Sequence, residues 1–411
     1  MSRSSSQQAH FHMMAKPASY RCNLRCSYCF YLEKEEVVPQ QAGARSAETM
    51  SDTTLRRYVR DYIQSHAGEQ VDFAWQGGEP MLAGLPFYQK AVEYQKKYAD
   101  GKIITNSFQT NGIAINSQWA DFFAGSGFLI GVSVDGLAAV HNRYRIAAQG
   151  QPTFDRVCRA IETLRSHQVE FNTLTVVNDQ NWDKGRQTYE ALKALGSTFM
   201  QFIPLVEVDA ACGCGHGHGH HYSPPASPQM APFSVPAHGY GAFMADVFDA
   251  WVAHDVGRYY VREFDSLLGV WMGYPASTCV QSATCGQALI IEASGDVYSC
   301  DHFVYPANRL GNVADTSLAT LATSARQQRF GQAKQDRLTT RCQQCPVRQL
   351  CQGGCPKHRI MGLPDERHRH NYLCPSYLHF FTHTAQAMQM MQAVIRRGGV
   401  AADVMSLGRV P

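Results

Sequence analysis

The 411-residue chain reads as an α/β protein: a parallel sheet with crossover helices, then a cysteine-rich domain, then one closing helix. Three observations predict this. Six apolar, β-prone runs alternate with helical-period runs from His12 to Val206. Eight cysteines are concentrated beyond Arg258, in a stretch with little regular periodicity. The segment Tyr377–Arg397, rich in Met and Gln, keeps a helical pattern without a break.

The predicted strands are His12–Ser19, Val71–Gln76, Ile103–Gln109, Leu129–Val134, Phe171–Val177 and Phe199–Leu205. Amphipathic stretches fall between them at Asp52–His66, Pro86–Ala99, Ser117–Ala124, Phe154–Ser166 and Trp182–Leu195. Ser51 and Thr153 are placed to N-cap the first and fourth of these helices. Such alternation, with room for crossover connections, builds a parallel sheet. Periodicity leaves an open sheet and a barrel equally available. Polar motifs follow each strand in turn: the Cys22–Cys29 loop, Gly77-Gly78-Glu79-Pro80, Thr110-Asn111-Gly112, Asp135-Gly136, Asn178 and Glu207. Parallel α/β folds build their sites at the carboxyl ends of strands, so all six would face one mouth.

Residues 207–236 interrupt the pattern with the Gly/His-rich run Cys212–His221 and a proline-rich stretch. That composition can bind metal incidentally; a flexible loop is the simpler reading, and a cover for a substrate the sharper one. A helical run, Tyr240–His254, closes the first domain. The expected division is a disordered tail (1–11), the α/β domain (12–256), the cysteine-rich domain (257–376) and the closing helix with its tail (377–411). Domains with little core are commonly held by metal.

Composition excludes several classes. Hydrophobic residues make up 45% and charged residues 17%, as in a globular protein with a sizeable core. A net charge of +3 is too mild to announce a nucleic-acid or membrane surface. Met1–His12 has no apolar core of a secretion signal, and no run approaches the ~20 apolar residues of a membrane span. Fourteen cysteines without an export signal favour metal chemistry in a reducing, cytoplasmic compartment over a disulfide framework. Cys158, in a helical run, reads as a small buried hydrophobe.

The spacing Cys22-x3-Cys26-x2-Cys29 offers three thiolates. A four-iron cubane is normally held by four, so this loop would leave one iron open to a reactant. Zinc wants four tetrahedral ligands, usually from paired C-x2-C units, which this spacing fits poorly. The loop resembles the signature of the radical S-adenosylmethionine (SAM) enzymes. That resemblance implies a partial (β/α)6 barrel, a [4Fe-4S] cluster that chelates SAM, and a 5′-deoxyadenosyl radical. It also implies that Tyr28 lies against the adenine, that Gly78 of the GGEP turn offers backbone groups to the methionine ammonium with Glu79 among the cofactor-binding residues, and that Ser133 and Arg145 bind the carboxylate or ribose. A backbone contact to adenine is implied near Leu205 or Val206, with Gln76, Gln109 and Asn111 lining the cavity.

The later cysteines, Cys285-x9-Gly295-x4-Cys300 and Cys342-x2-Cys345-x5-Cys351-x3-Cys355, with Cys279 and Cys374, resemble a SPASM domain. Eight thiolates can ligate two [4Fe-4S] clusters completely. The resemblance assigns Cys279, Cys285, Cys300 and Cys355 to the first auxiliary cluster, and Cys342, Cys345, Cys351 and Cys374 to the second. Two zinc sites are the competing reading of this half taken alone. Cys300-Asp301-His302, with Met14-Ala15-Lys16-Pro17 and Cys29-Phe30-Tyr31-Leu32-Glu33-Lys34, is similar to the anaerobic sulfatase-maturating enzymes. This implies oxidation of a sulfatase Cys or Ser to formylglycine, with Asp301 as general base. A carboxylate beside an anionic cluster is expected to have a raised pKa. The implied partners are an unfolded or nascent sulfatase polypeptide and an electron donor such as flavodoxin or ferredoxin. Two other readings compete: a different SPASM-type peptide maturase, which would usually carry an extra N-terminal recognition domain, and a non-catalytic iron–sulfur or zinc-bound electron carrier.

Overall fold

A computed structural model of the chain describes residues 8–42, 49–209 and 228–407. Six parallel strands run in sequence order, β1 (His12–Lys16), β2 (Gln70–Trp75), β3 (Ile103–Thr110), β4 (Phe128–Ser133), β5 (Phe171–Val177) and β6 (Phe199–Pro204). Each predicted strand is present within a few residues of its expected bounds. Alternate residues of β5 are buried and half-buried along its length, as a strand between two covered faces requires.

The sheet does not stop at the sixth strand. The short β7 (Tyr260–Val261) extends it beside β6, and three strands of the cysteine-rich domain extend it beyond β1. These are β8 (Ala288–Glu292), β9 (Asp296–Tyr298) and β10 (Arg309–Asn312). β8 pairs parallel to β1, with Lys16 opposite Glu292; β9 and β10 follow antiparallel. The second domain therefore shares one ten-stranded sheet with the first. Runs as short as Ala288-Leu-Ile-Ile-Glu292 carry too few residues to declare a strand by periodicity, and they acquire it by pairing with β1.

The core is aromatic. Tyr58 and Tyr62 on the helix Asp52–Ser65 pack on Phe73 and Trp75 of β2, and Tyr88 packs on Phe108 of β3. Ring centroids about 5–6 Å apart in edge-to-face geometry add to the area these side chains bury. The chain joins this core before His12, where a disordered tail was expected to end. Ala9 bridges His66, and Phe11 is buried against Tyr62.

Local details correct other expectations. Ser51 does cap its helix, accepting from the Thr54 amide at 3.1 Å. Thr153 does not, because its hydroxyl donates to the Arg145 carbonyl at 2.6 Å; Asn142 Oδ1 accepts the Thr153 and Phe154 amides instead. Cys158 is half-buried, since the buried stripe of Phe154–Ser166 runs through Val157, Ala160, Ile161 and Leu164. The helix Ala325–Asp336 had no sequence signal, because what it buries is Gln327, Gly331 and Lys334. The closing helix spans Cys374–Arg396 and packs along the helix Gly239–His254.

Candidate active site

The three-cysteine loop leaves the carboxyl end of β1. Cys29 N–H donates to the Cys26 carbonyl at 2.9 Å, and Leu24 N–H points to Cys22 Sγ at 3.4 Å. Asn111, after β3, ties the loop down by donating to Asn23 Oδ1 at 2.7 Å, and its amide lies 3.7 Å from Cys22 Sγ. Burial pushes the Cys22 thiol up to about 11 and the Cys26 thiol to about 12, and each thiol feels the charge of others in the loop. Sites that penalise a bare thiolate this strongly are suited to a metal centre, whose charge holds a coordinating thiol deprotonated.

Around the loop, residues from successive strand ends converge. Tyr28 is buried, with its hydroxyl 3.2 Å from Asp135 Oδ2. Arg145 forms a fork with the same carboxylate at 2.8 and 3.3 Å and lies over the Tyr28 ring. Burial pushes the Asp135 carboxyl up, but Arg145 and His141 outweigh it and hold it below its ordinary value. Leu205 and Tyr144 pack with Tyr28 in a small apolar cluster. The Leu205 N–H is spent on Val177 and its carbonyl on Val235, so its side chain meets Tyr28. Val206 turns into the main core. Ser133 Oγ accepts from Gln109 at 3.0 Å.

The GGEP turn is pressed against the loop. A Cβ on Gly78 would lie 2.1 Å from the Arg21 carbonyl oxygen, so only glycine fits. Its N–H donates to Ser19 at 2.8 Å, which leaves the carbonyl as the group able to receive an ammonium. Glu79, expected to contact the cofactor, is tied into the protein by its own hydrogen bonds. It is fully buried and accepts from the Asn111 amide, Thr110 Oγ1 and the Met81 amide at 2.9–3.1 Å. Its role is to join the turns after β2 and β3; burial raises its pKa to about 7 despite these donors.

In the second domain the thiols sort into two electrostatic neighbourhoods. Cys285, Cys300 and Cys355 each feel Cys279, and Cys285 and Cys300 each feel Cys355. Cys351 feels Cys342, Cys345 and Cys374. Cys355 thus lies in the electrostatic neighbourhood of the first group, a placement spacing could not reveal. Among the described residues no three His, Cys, Asp or Glu side chains are gathered as a single metal ion would need. A four-iron cluster instead distributes four cysteines over separate irons, and two all-thiol quartets fit it.

Asp301 stands between the two halves. Its Oδ1 lies 2.5 Å from Lys16 Nζ, the last residue of β1, and Cys29 feels both charges. Cations of the chain itself oppose the upward shift expected of Asp301. Burial raises it, but Lys16, His302 and Lys357 together lower it below the ordinary carboxylate value. Sequence reasoning missed most of this surround. Lys16 lies over the Tyr31 ring, while Ser19 donates to Glu292 at 2.8 Å and Tyr31 donates to its other oxygen. Lys357 pairs with Glu207 and lies 4.9 Å from the Phe30 ring centroid. Lys16 and Glu207 had a signal, as strand-end residues; Glu292 and Lys357 had none, and the fold delivers the first by pairing β8 with β1 and the second through the ion pair with Glu207. The Cys212–His221 run lies outside the described residues.

Comparison with known proteins agrees with this geometry. The Radical SAM superfamily matches residues 17–192, and the SPASM iron-sulfur cluster-binding domain matches residues 283–346. A serine-type anaerobic sulfatase-maturating enzyme of Bacteroides thetaiotaomicron is 38% identical over 96% of this chain and 94% of its own. A cysteine-type enzyme of Clostridium perfringens is 33% identical over 90% of this chain and 95% of its own. The solved structure of native anSMEcpe with bound AdoMet and a Cp18Cys peptide superposes with a TM-score of 0.80, at 31% identity, over 93% of this chain and 99% of that one.

Proposed function

The chain belongs to the anaerobic sulfatase-maturating enzymes of the radical SAM superfamily, and from that premise we propose how its side chains divide the work. The reaction is oxidation of a sulfatase cysteine or serine side chain to formylglycine. When bound, SAM and the [4Fe-4S] cluster at Cys22, Cys26 and Cys29 supply the radical that takes a hydrogen atom, and the two auxiliary clusters supply an electron sink.

Tyr28 and Leu205 present an apolar wall for the adenine, and Arg145 keeps the Tyr28 ring in place through their shared partner Asp135. The Gly78 carbonyl receives the methionine ammonium, and Ser133 contributes to the carboxylate or ribose. Asp301 accepts the thiol or hydroxyl proton of the substrate at a carboxylate oxygen. Lys16 Nζ holds that carboxylate ionised and fixed in direction until the proton arrives. The observation that carries this reading is the placement of Asp301, one residue beyond a second-domain thiol, against Lys16 and within electrostatic reach of Cys29. Proton acceptor and radical source then share one mouth, as concerted removal of a proton and a hydrogen atom from one side chain requires. The sulfatase segment enters that mouth as an extended peptide, and a flavodoxin- or ferredoxin-type protein supplies the reducing electron.

Asp301→Asn tests the assignment. The variant should keep its iron and its reductive SAM cleavage, while formylglycine formation on a sulfatase-motif peptide falls at least about 100-fold. Wild-type product formation in that variant removes Asp301 as the proton acceptor.

A further inference from the structure

The helix Ala325–Asp336 carries two kinds of polar side chain on two sides. Its inner side lies on the first auxiliary quartet. Lys334 Nζ donates to the carbonyls of Cys279 at 2.6 Å and Val280 at 2.9 Å, and Gln327 donates to Gly286 at 2.8 Å and Ser299 at 3.2 Å. The Cys285 amide donates to the Gly331 carbonyl at 3.1 Å. A Cβ on Gly331 would lie 2.4 Å from the Cys285 carbonyl oxygen, so the helix backbone rests directly on a ligand strand.

The outer side is basic. Arg326, Arg329 and Arg337, spaced i, i+3 and i+11 along the helix and the residue that ends it, share one side and are exposed. The carboxylate on this helix, Asp336, is engaged by Gln332 at 3.1 Å. Shallow grooves flank the helix, one of about 550 Å³ with Cys285 in its wall and one of about 230 Å³ between the three arginines and Ser299. Among the described residues, no carboxylate lines either groove. Between residues 325 and 373 the sequence holds ten Lys or Arg against three Asp or Glu, in a chain whose net charge is only +3. Lys334, Lys357 and Arg359 of these turn inward, so on the helix Ala325–Asp336 and its end the outer charge is that of Arg326, Arg329 and Arg337.

We propose that this outer face is the docking surface for a small acidic one-electron carrier protein, which in its oxidised form takes the electron released by each substrate oxidation. The proposal rests on the reading that Cys279, Cys285, Cys300 and Cys355 hold a cluster. The substrate radical is oxidised by one electron as the cluster is reduced by one. The cluster is then reoxidised as the carrier is reduced by one, with no bond made or broken in that transfer. Exposed arginines and cluster ligands stand one helix apart, about 10 Å, within reach of electron tunnelling. Electron-transfer encounters are small and rely on charge, as a basic ridge between shallow grooves provides.

The test uses the full chain with its clusters reconstituted anaerobically. Enzyme with reduced auxiliary clusters is mixed rapidly with an oxidised acidic flavodoxin, and flavin reduction is followed at low and high ionic strength. In R326E/R329E/R337E the second-order rate constant should fall at least about tenfold at low salt, and the difference should shrink toward 0.5 M salt, taken as roughly a 4 Å screening length. Dithionite-driven SAM cleavage and single-turnover peptide oxidation should stay at wild-type levels. Equal rates at low salt would overturn the proposal. So would an equal loss with a neutral quinone acceptor, which needs no charged dock, because the arginines would then be serving the cluster. Competition for the patch by a short RNA, without effect of the substitutions on flavin reduction, would assign it to a nucleic acid instead. If the wild-type enzyme lacks the spectroscopic signal of the first auxiliary cluster, the ligand assignment fails at that step and the docking proposal with it.

Discussion

The two halves of the molecule are held by opposite means. In the barrel, the fully buried side chains include Tyr58, Phe73, Trp75, Tyr88, Phe108 and Phe123, packed ring against ring. Between residues 325 and 373, the buried side chains include Gln327, Lys334, Thr339, Lys357, His358, His370 and Asn371, with Leu338, Ile360 and Leu373 as an apolar minority. Buried cations there collect backbone carbonyls. Arg359 donates to Gly353 and Gln352 at 3.1 Å and to Lys334 at 2.6 Å, and it feels thiols of both quartets. Burying a cation is unfavourable unless it is paired, and clusters ligated by thiolates supply the compensating charge. The barrel is a hydrophobic core that carries a cluster at its rim, whereas the second half is organised around its clusters.

Removing iron is the strongest way to break this contrast. After anaerobic chelation, amides in residues 325–373 should lose hydrogen-exchange protection by orders of magnitude, while those of β2 to β5 keep most of theirs. Uniform loss across both regions would show that the barrel also depends on metal. A paired substitution sharpens the comparison. Lys334→Met leaves the Cys279, Val280 and Ser282 carbonyls without their donor and should destabilise the loaded protein by roughly 3–5 kcal/mol, an effect that disappears once iron is gone. Leu55→Ala in the barrel should cost about 2–5 kcal/mol whether or not iron is present. Denaturant titrations of both variants, loaded and stripped, separate the two cases.

The smallest effect is a pH dependence confined to the barrel. Burial raises the Glu79 carboxyl from its reference value of 4.5 to about 7, so the folded state binds a proton that the unfolded chain has released between those values. Stability should therefore fall as pH rises from about 4.5 to about 7 and then level off, by roughly 3 kcal/mol at full expression of the shift. Glu79→Gln, which cannot ionise, should remove that slope in denaturation series across this range.

Legibility followed the same division. The six barrel strands and most of their helices were readable because a covered parallel sheet imposes alternation and apolar runs on its sequence. β8, β9 and β10 were not, since three to five residues carry no periodicity of their own. The helix Ala325–Asp336 was silent for a different reason: its buried side presents Gln327, Gly331 and Lys334, the residues a hydrophobic pattern cannot register. At the site, the thiols and Asp301 stood out through residue type and spacing. The bonds of Glu79 to Thr110 and Asn111 were not legible, because a strand-end carboxylate looks the same in sequence whatever the next turn offers it.

The sequence by itself determined the cofactor chemistry, because thiolates at set spacings and the turns after each strand are local features that the chain must write out residue by residue. Only the tertiary structure decided how that chemistry is assembled. Pairing of β8 with β1 sets Glu292 opposite Lys16 and makes one sheet of two domains. The same closure brings Asp301 to Lys16, and within the second domain the fold sets Cys355 in electrostatic reach of Cys279, pairs of residues far apart in the chain. It also sets a cation against Asp301, since the charge nearest a carboxylate depends on which distant lysine the fold delivers.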